Sequence, residues 1–383
     1  MAGLYIHIPF CSSRCVYCAF FSTTQLELRQ RYVDALCREM TQHDGFTRFD
    51  TVYLGGGTPS QLTASQLHQL FDAVNSTFLV AEGAEVTMEC NPDDVTEEFA
   101  TALASLPVNR VSMGAQTFNN ERLRFLRRRH RAEQVGQAVD RLRRAGIENI
   151  SVDLMYGFPE ETLQQWHADI DAVLALGTEH VSAYALTYEE GTPLYRMLQQ
   201  GSVSELDEEL QRQMYYDLKD RLQTAGFEHY ELSNFGGKVE GGGVKGEEDY
   251  RSRHNCGYWN HTPYLGLGAG AHSLLPPAGE GIPLRRQWNV SDLQSYLTSI
   301  ENGHLPAEGE DLDEAMLYNE QVMTRLRTSD GLPLAILSPQ RQDYCQSRAA
   351  KFIRSGWLRL DDGILRLTRE GLFVSDAVMA DLF

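Results

Sequence analysis

Nowhere in this chain does an apolar run last long enough to cross a bilayer, although 42% of its residues are hydrophobic. The expectation is a soluble fold with a sizeable core and no membrane span. The first residues lack the basic-then-apolar layout of a secretory leader. The seven cysteines are odd in number and unevenly scattered, which excludes an orderly disulfide framework and points to a reducing compartment, the cytoplasm being the simplest. Positive charge is in short supply. A formal net charge of −19 excludes broad, sequence-independent contact with nucleic acid and disfavours docking on anionic lipid. The one basic run, Arg122 to Arg131, reads mainly as a solvated helix face. At 383 residues, the chain is long enough to divide into two or more units.

What is present begins near the N-terminus. A short apolar strand from Gly3 is ended by Pro9, and Cys11, Cys15 and Cys18 follow on one loop at C-x3-C-x2-C spacing. A structural zinc site closes a tetrahedron with four ligands, and the sequence has no second C-x2-C pair to complete one. Thiolates also suit iron–sulfur clusters, and a cubane held by three cysteines keeps one iron open to another molecule. Tyr17 and Phe20 flank the thiols, an apolar shell that would shield a cluster. The loop resembles that of the radical SAM superfamily. That resemblance implies a [4Fe-4S] cluster whose open iron takes the amino and carboxylate groups of S-adenosylmethionine, and whose electron cleaves it to a 5′-deoxyadenosyl radical.

Behind the loop the hydrophobic period switches repeatedly between strand and helix. Leu26 to Met40 has helical spacing; Thr51 to Leu54 is a strand, followed by the turn Gly55 to Ser60 and a helix from Ala64 to Val74. Strands at Glu85 to Glu89, Val108 to Ala115, Asn149 to Met155 and Val181 to Leu186 each lead into helical segments, the last running from Leu206 to Ala225. Six β/α repeats predict an α/β domain over residues 1–230 with a parallel sheet, open or closed into a partial barrel. The unusual residues fall at the C-terminal ends of these strands, where such sheets carry their chemistry. They are the cysteines, Gly55 to Gly57, Glu89, Gln116 and Asp153. The glycines let a ligand approach the main chain. Glu89 ends an apolar strand and reads as a partner for an amino group; Asp153, between Val152 and Leu154, reads as a partner for ribose hydroxyls or as a hydrogen-bonded structural aspartate.

Taken together, Leu4-Tyr5-x-His7-x-Pro9-Phe10-Cys11, Tyr53-x-Gly55-Gly56-Gly57-Thr58-Pro59, Glu89-x-Asn91-Pro92, Gly114-x-Gln116-x-Phe118, Arg128-x-His130 and Asp153-Leu154-x-Tyr156-Gly157-x-Pro159 are similar to the oxygen-independent coproporphyrinogen III oxidase-like family of radical SAM proteins, over nearly the whole chain. The resemblance implies a radical SAM partial (β/α)6 barrel. It places Tyr5, Tyr17, Gly56, Gly57, Thr58, Glu89, Gln116, Arg128 and Asp153 around S-adenosylmethionine, with Arg128 facing its carboxylate. The porphyrinogen-oxidising branch has a further cysteine two residues after the third, where Phe20 stands here, and an extension before the loop, whereas this strand starts at Gly3. Oxidation of coproporphyrinogen III is therefore the alternative expectation. Ser252-Arg253-His254-Asn255-Cys256-Gly257-Tyr258-Trp259 resembles the His-Asn-x-x-Tyr-Trp element of the family's haem-chaperone branch. That implies haem bound by His254, Asn255, Tyr258 and Trp259, and its transfer to an acceptor protein. Imidazole is a haem-iron ligand, and Tyr and Trp pack against a flat macrocycle. His261 and His272 are alternative ligands.

Residues 231–304 form the haem-motif region. They include Gly236 to Asp249, rich in glycine and charge, which reads as a flexible surface insertion, and Leu265 to His272, whose small residues suit a buried turn or a strand approaching the barrel. Residues 305–383 carry a helix from Asp311 to Leu326, a second near Gln340 to Arg354 and a hairpin from Trp357 to Leu367 across Asp361-Asp362-Gly363. This pattern predicts a winged-helix-like module. Its modest basic charge favours a cover or partner surface over DNA binding.

Overall fold

The computed structural model describes residues 2–43, 46, 48–237, 250–277, 279 and 283–383. Alternation along the first strand, β1 (Gly3–Ile8), sets the pattern for the rest. Leu4, Ile6 and Ile8 are fully buried in one cluster with Tyr32 and Leu36 of the helix Arg29–Met40, while Tyr5 and His7 take the opposite face. Strands β2 (Arg48–Gly56), β3 (Leu79–Cys90), β4 (Arg110–Gln116), β5 (Asn149–Tyr156) and β6 (His180–Ala185) follow, each parallel to its predecessor. Helices intervene, and their starts are written locally. Thr162 Oγ1 accepts from the Gln165 amide and Gln165 Oε1 accepts from the Thr162 amide, so the helix Leu163–Ala175 begins directly after Thr162. These six units are the expected partial (β/α)6 barrel.

The sheet continues on both flanks. β7 (Phe227–Glu231) and β8 (Asn234–Gly237) extend it antiparallel beyond β6. On the other side β9 (Tyr264–Leu267) lies parallel to β1, and β10 (His272–Leu275), β11 (Arg285–Asn289) and β12 (Ala307–Asp311) continue antiparallel. Among the described residues, strands from residues 231–304 thus belong to the same twelve-stranded sheet as β1 to β6. The run Leu265 to His272 is the strand approach. At Gly268, φ is +99°, and a Cβ would collide with the Tyr32 hydroxyl and the His7 carbonyl. One fully buried carboxylate ties this flank to the first helix: Glu39 accepts from the Gly268 amide (2.8 Å), Asn289 Nδ2 (2.5 Å) and the Tyr296 hydroxyl (2.6 Å). Of the glycine-rich stretch Gly236 to Asp249, residues 238–249 lie outside the described residues.

The C-terminal module has its own apolar cluster, around Val322, Cys345, Leu358 and Leu382. It is built from the helices Glu314–Arg325 and Pro339–Arg354 and a three-stranded sheet of β13 (Leu332–Pro333), β14 (Leu358–Asp361) and β15 (Ile364–Leu367). Asp362 and Gly363 both have positive φ, as the tight hairpin turn requires. Ion pairs Arg369–Asp220 and Arg327–Glu231 hold the module to the barrel. Among the described residues no helix is long and apolar enough to cross a membrane.

Candidate functional site

Pro9 ends β1, and the loop beyond it is pinned by its own backbone. Thr23 donates to the Pro9 carbonyl at 2.7 Å, Cys11 donates to the Thr23 carbonyl at 2.9 Å, and Val16 is bonded to both Leu126 and Leu194. Cys11, Cys15 and Cys18 are free, partly exposed, and share the wall of a cavity of about 950 Å³ at the C-terminal ends of the strands. Thr58 Oγ1 lies 3.4 Å from the Cys11 sulfur, and Arg128 Nη1 donates to the Cys15 sulfur at 3.8 Å. Burial pushes the Cys11 and Cys18 thiols up from their ordinary value; binding of iron would displace those protons. Among the described residues no three His, Cys, Asp or Glu side chains converge as ligands of a single ion do. Cubane ligands bind different irons and need not converge, so a loop of three soft donors facing a large cavity fits the cluster.

Glu89, at the end of β3, accepts from the Tyr53 hydroxyl (2.8 Å) and the Gly56 amide (3.0 Å). Burial, with the nearby charge of Asp153, pushes its carboxyl up to about 7 despite these bonds. Asp153 accepts from Ser112 (3.3 Å), and burial pushes it up to about 6. Arg128 is fixed by Asn91 Oδ1 (2.7 Å) and the Gly114 carbonyl (2.6 Å). Gln116 has φ +65° at an irregularity in the β4–β5 pairing and lines the cavity. Gly56 has φ +107°, and a Cβ there would strike the His7 ring. Together with Tyr17, Gly57 and Thr58, these residues line one cavity.

Tyr5 does not line it. Its hydroxyl bonds His7 Nδ1 at 3.0 Å, and its ring lies deeper, near Tyr53 and His254. Phe20, expected with Tyr17 to enclose the thiols, stands at the cavity with 70% of its surface exposed. The basic run divides as its surroundings dictate: Arg122 pairs with Glu161, Arg129 with Asp93 and Asp94, and only Arg128 reaches the thiols. Sequence reasoning missed Asn91, Ser112 and Tyr184. Asn91 orients Arg128, Ser112 bonds Asp153, and Tyr184 forms the wall on β6. Strand alternation was the available signal, since Ser112 and Tyr184 occupy inward positions of β4 and β6.

The His-Asn-x-x-Tyr-Trp element forms the helix Arg253–Trp259, which sits at the other end of the barrel, where the strands begin. The His254 amide donates to Glu85 Oε1, and the ring bonds Thr51 Oγ1 through Nδ1 and the Tyr258 hydroxyl through Nε2, each at 2.8 Å. Burial pushes the imidazole down to about 3, so it is neutral. His254 and Tyr258 line a second cavity of about 830 Å³; Asn255 and Trp259 are half-buried on the same helix. Of the other histidines, His261 bonds Thr324 and His272 is exposed beside Trp288.

Residues 5–173 match the Radical SAM superfamily, and residues 312–374 match the HemN C-terminal domain. The chain is 34% identical to Heme chaperone HemW of Mycobacterium tuberculosis over 99% of this chain and 94% of that one. It is 32% identical to Heme chaperone HemW of Bacillus subtilis, over 87% and 85% of the two chains. To the mitochondrial Radical S-adenosyl methionine domain-containing protein 1 of Bos taurus it is 32% identical, over 100% and 87%. Its fold matches coproporphyrinogen III oxidase (HemN) from Escherichia coli with a TM-score of 0.82, over all of this chain and 89% of that one, at 20% identity. That last likeness is one of fold. With near-full-length identity to several such relatives, the chain belongs to the HemW family of radical SAM proteins.

Proposed function

We propose that this chain is a haem chaperone, one that holds a [4Fe-4S] cluster, S-adenosylmethionine and haem and passes the haem to an acceptor protein. The observation that carries the reading is the division of the barrel into two cavities, one walled by the three cysteines and one lined by His254 and Tyr258. Relatives at this identity bear the name heme chaperone. The cysteine pattern supports a reducing compartment such as the cytoplasm.

At the first end, a cluster bound on Cys11, Cys15 and Cys18 supplies a one-electron donor and an iron with a free position. The chain's own residues handle the rest of S-adenosylmethionine. Arg128, braced by Asn91 and Gly114, offers guanidinium N–H groups to a carboxylate. Glu89, held by Tyr53 and Gly56, accepts from an ammonium group whose arrival favours the ionised carboxylate. Asp153, oriented by Ser112, accepts from ribose hydroxyls.

At the second end, the neutral His254 ring would hold haem iron through Nδ1 or Nε2, the nitrogens now bonded to Thr51 and Tyr258. His261 and His272 are the alternatives. Anaerobic reconstitution followed by haem titration tests both ends. Roughly four irons per chain are expected, lost when Cys11, Cys15 and Cys18 are all changed to Ala. Unchanged iron in that triple variant overturns the cluster assignment, and an unaltered Soret band with stoichiometric haem overturns haem binding.

A further inference from the structure

Parallel register stacks the inward side chains of the barrel in layers. At the floor are Gly3, Thr51 and Glu85, beside the second cavity. Higher up, Glu89 and Ser112 pair across β3 and β4 in the wall of the cysteine cavity. Between them lies a layer in which Tyr5 pairs with Tyr53, Tyr53 with Thr87, Thr87 with Arg110, and Arg110 with Asn149.

In this middle layer the polar groups do not balance. Arg110 is only 2% exposed, and its Nε has no hydrogen-bond partner among the described residues. The same is true of the buried Thr87 Oγ1 and Asn149 Oδ1 on either side of it. Three adjacent residues in one row each carry an unsatisfied polar atom, and the central one is a cation. A buried guanidinium is costly unless an anion or a full set of acceptors meets it. Its charge reaches the inward-facing Asp153, His180 and His254, so the group points into the barrel rather than out among the helices.

The row also has a way in. Asn149, the register partner of Arg110, lines the second cavity, so the row approaches that cavity from its β5 end, with Arg110 and Thr87 set back from the wall. A carboxylate entering from that side would meet the guanidinium fork, the Thr87 hydroxyl and, with its amide turned over, the Asn149 N–H groups.

We propose that Arg110 is the receptor for a carboxylate of the ligand that occupies the second cavity. This rests on the haem reading above, and the carboxylate is then a haem propionate. The macrocycle would lie against the helix Arg253–Trp259 while one acid arm reaches into the middle layer.

Titration of the full chain with haem and with haem dimethyl ester, whose propionates are blocked, tests this. Wild type is expected to bind free haem on the order of tenfold more tightly than the ester. Arg110→Met should abolish that preference while leaving ester affinity unchanged, and Arg110→Lys should restore part of it. Equal affinities in wild type overturn the proposal, leave the haem reading standing and assign the layer to internal water. A preference that survives in Arg110→Met also overturns it, placing the acid on Arg251 or Arg253 of the cavity wall. Failure of wild type to bind either compound overturns the haem reading and this proposal together. Where circular dichroism shows that Arg110→Met is unfolded, Arg110→Lys decides: a reduced preference supports the proposal and a preference equal to that of wild type overturns it.

Discussion

The Tyr53 ring lies on the imidazole of His254, with centroids 5.1 Å apart and planes 28° from parallel. Its hydroxyl meanwhile donates to Glu89 at 2.8 Å, so one side chain touches the walls of both cavities. Tyr53→Phe keeps the stack and removes the donor, raising the Glu89 carboxyl above its value of about 7. Wild-type affinity for S-adenosylmethionine should rise with pH through that region, and in Tyr53→Phe the rise should shift to higher pH. Equilibrium binding under anaerobic conditions at several pH values measures it; superimposable profiles would show that the hydroxyl does not govern Glu89.

Glu89 should also cost the fold stability at alkaline pH. Its carboxyl is raised from an ordinary 4.5 to about 7, and that of Asp153 from 3.8 to about 6. The folded chain therefore keeps protons that the unfolded chain releases. The contribution is fully present below the unfolded values and is lost as pH rises through the folded ones. Glu89→Gln should melt about 2 °C or more above wild type at pH 8, and little above it at pH 4.5, while binding S-adenosylmethionine more weakly. A lower melting temperature at pH 8 would contradict the sign.

Arg128→Lys keeps a positive charge but loses the planar fork that spans Asn91, Gly114 and the Cys15 sulfur. Affinity for S-adenosylmethionine should fall about tenfold or more, with iron content after reconstitution unchanged. Loss of iron in parallel with affinity would mean that Arg128 builds the cysteine loop rather than the ligand site.

Tyr258→Phe frees His254 Nε2 from its 2.8 Å hydrogen bond without removing the aromatic wall. If His254 ligates haem iron, the variant should bind haem a few-fold more tightly, with the Soret position of wild type. His254→Ala should lose the shift. A Soret band unchanged in both variants would transfer ligation to His261 or His272.

The cysteine loop and the β/α repeats were legible because each is local: spacing along the chain fixes the thiols, and periodicity fixes the strands. Glu89 and Gln116 could be placed at strand ends for the same reason, whereas Asp153 lies three residues before the end of β5. What could not be read were pairings between distant segments. β9 completes the flank of β1 from more than 250 residues away, and no local pattern announces it. The same distance hid the setting of His254. Its partner Thr51 lies 203 residues earlier in the chain, so the motif was legible but not its position at the opposite end of the barrel from the cysteines. Tyr5 shows the same effect on a smaller scale. A neighbour of the cluster loop in sequence, it points inward from the middle of β1, below the cavity that loop walls.

Glu39 bears on how the molecule is made. Its carboxylate is completely enclosed, and all three donors that satisfy it belong to Gly268, Asn289 and Tyr296. Until those residues emerge from the ribosome, seating the helix Arg29–Met40 would bury the Glu39 carboxyl, which burial already pushes up to about 7, without any of its three donors, so docking of that helix is costlier until they arrive. The opening β/α unit, first to be synthesised, is therefore among the last to lock. A nascent chain arrested before Tyr296 should leave its earliest helix open to proteases and chaperones.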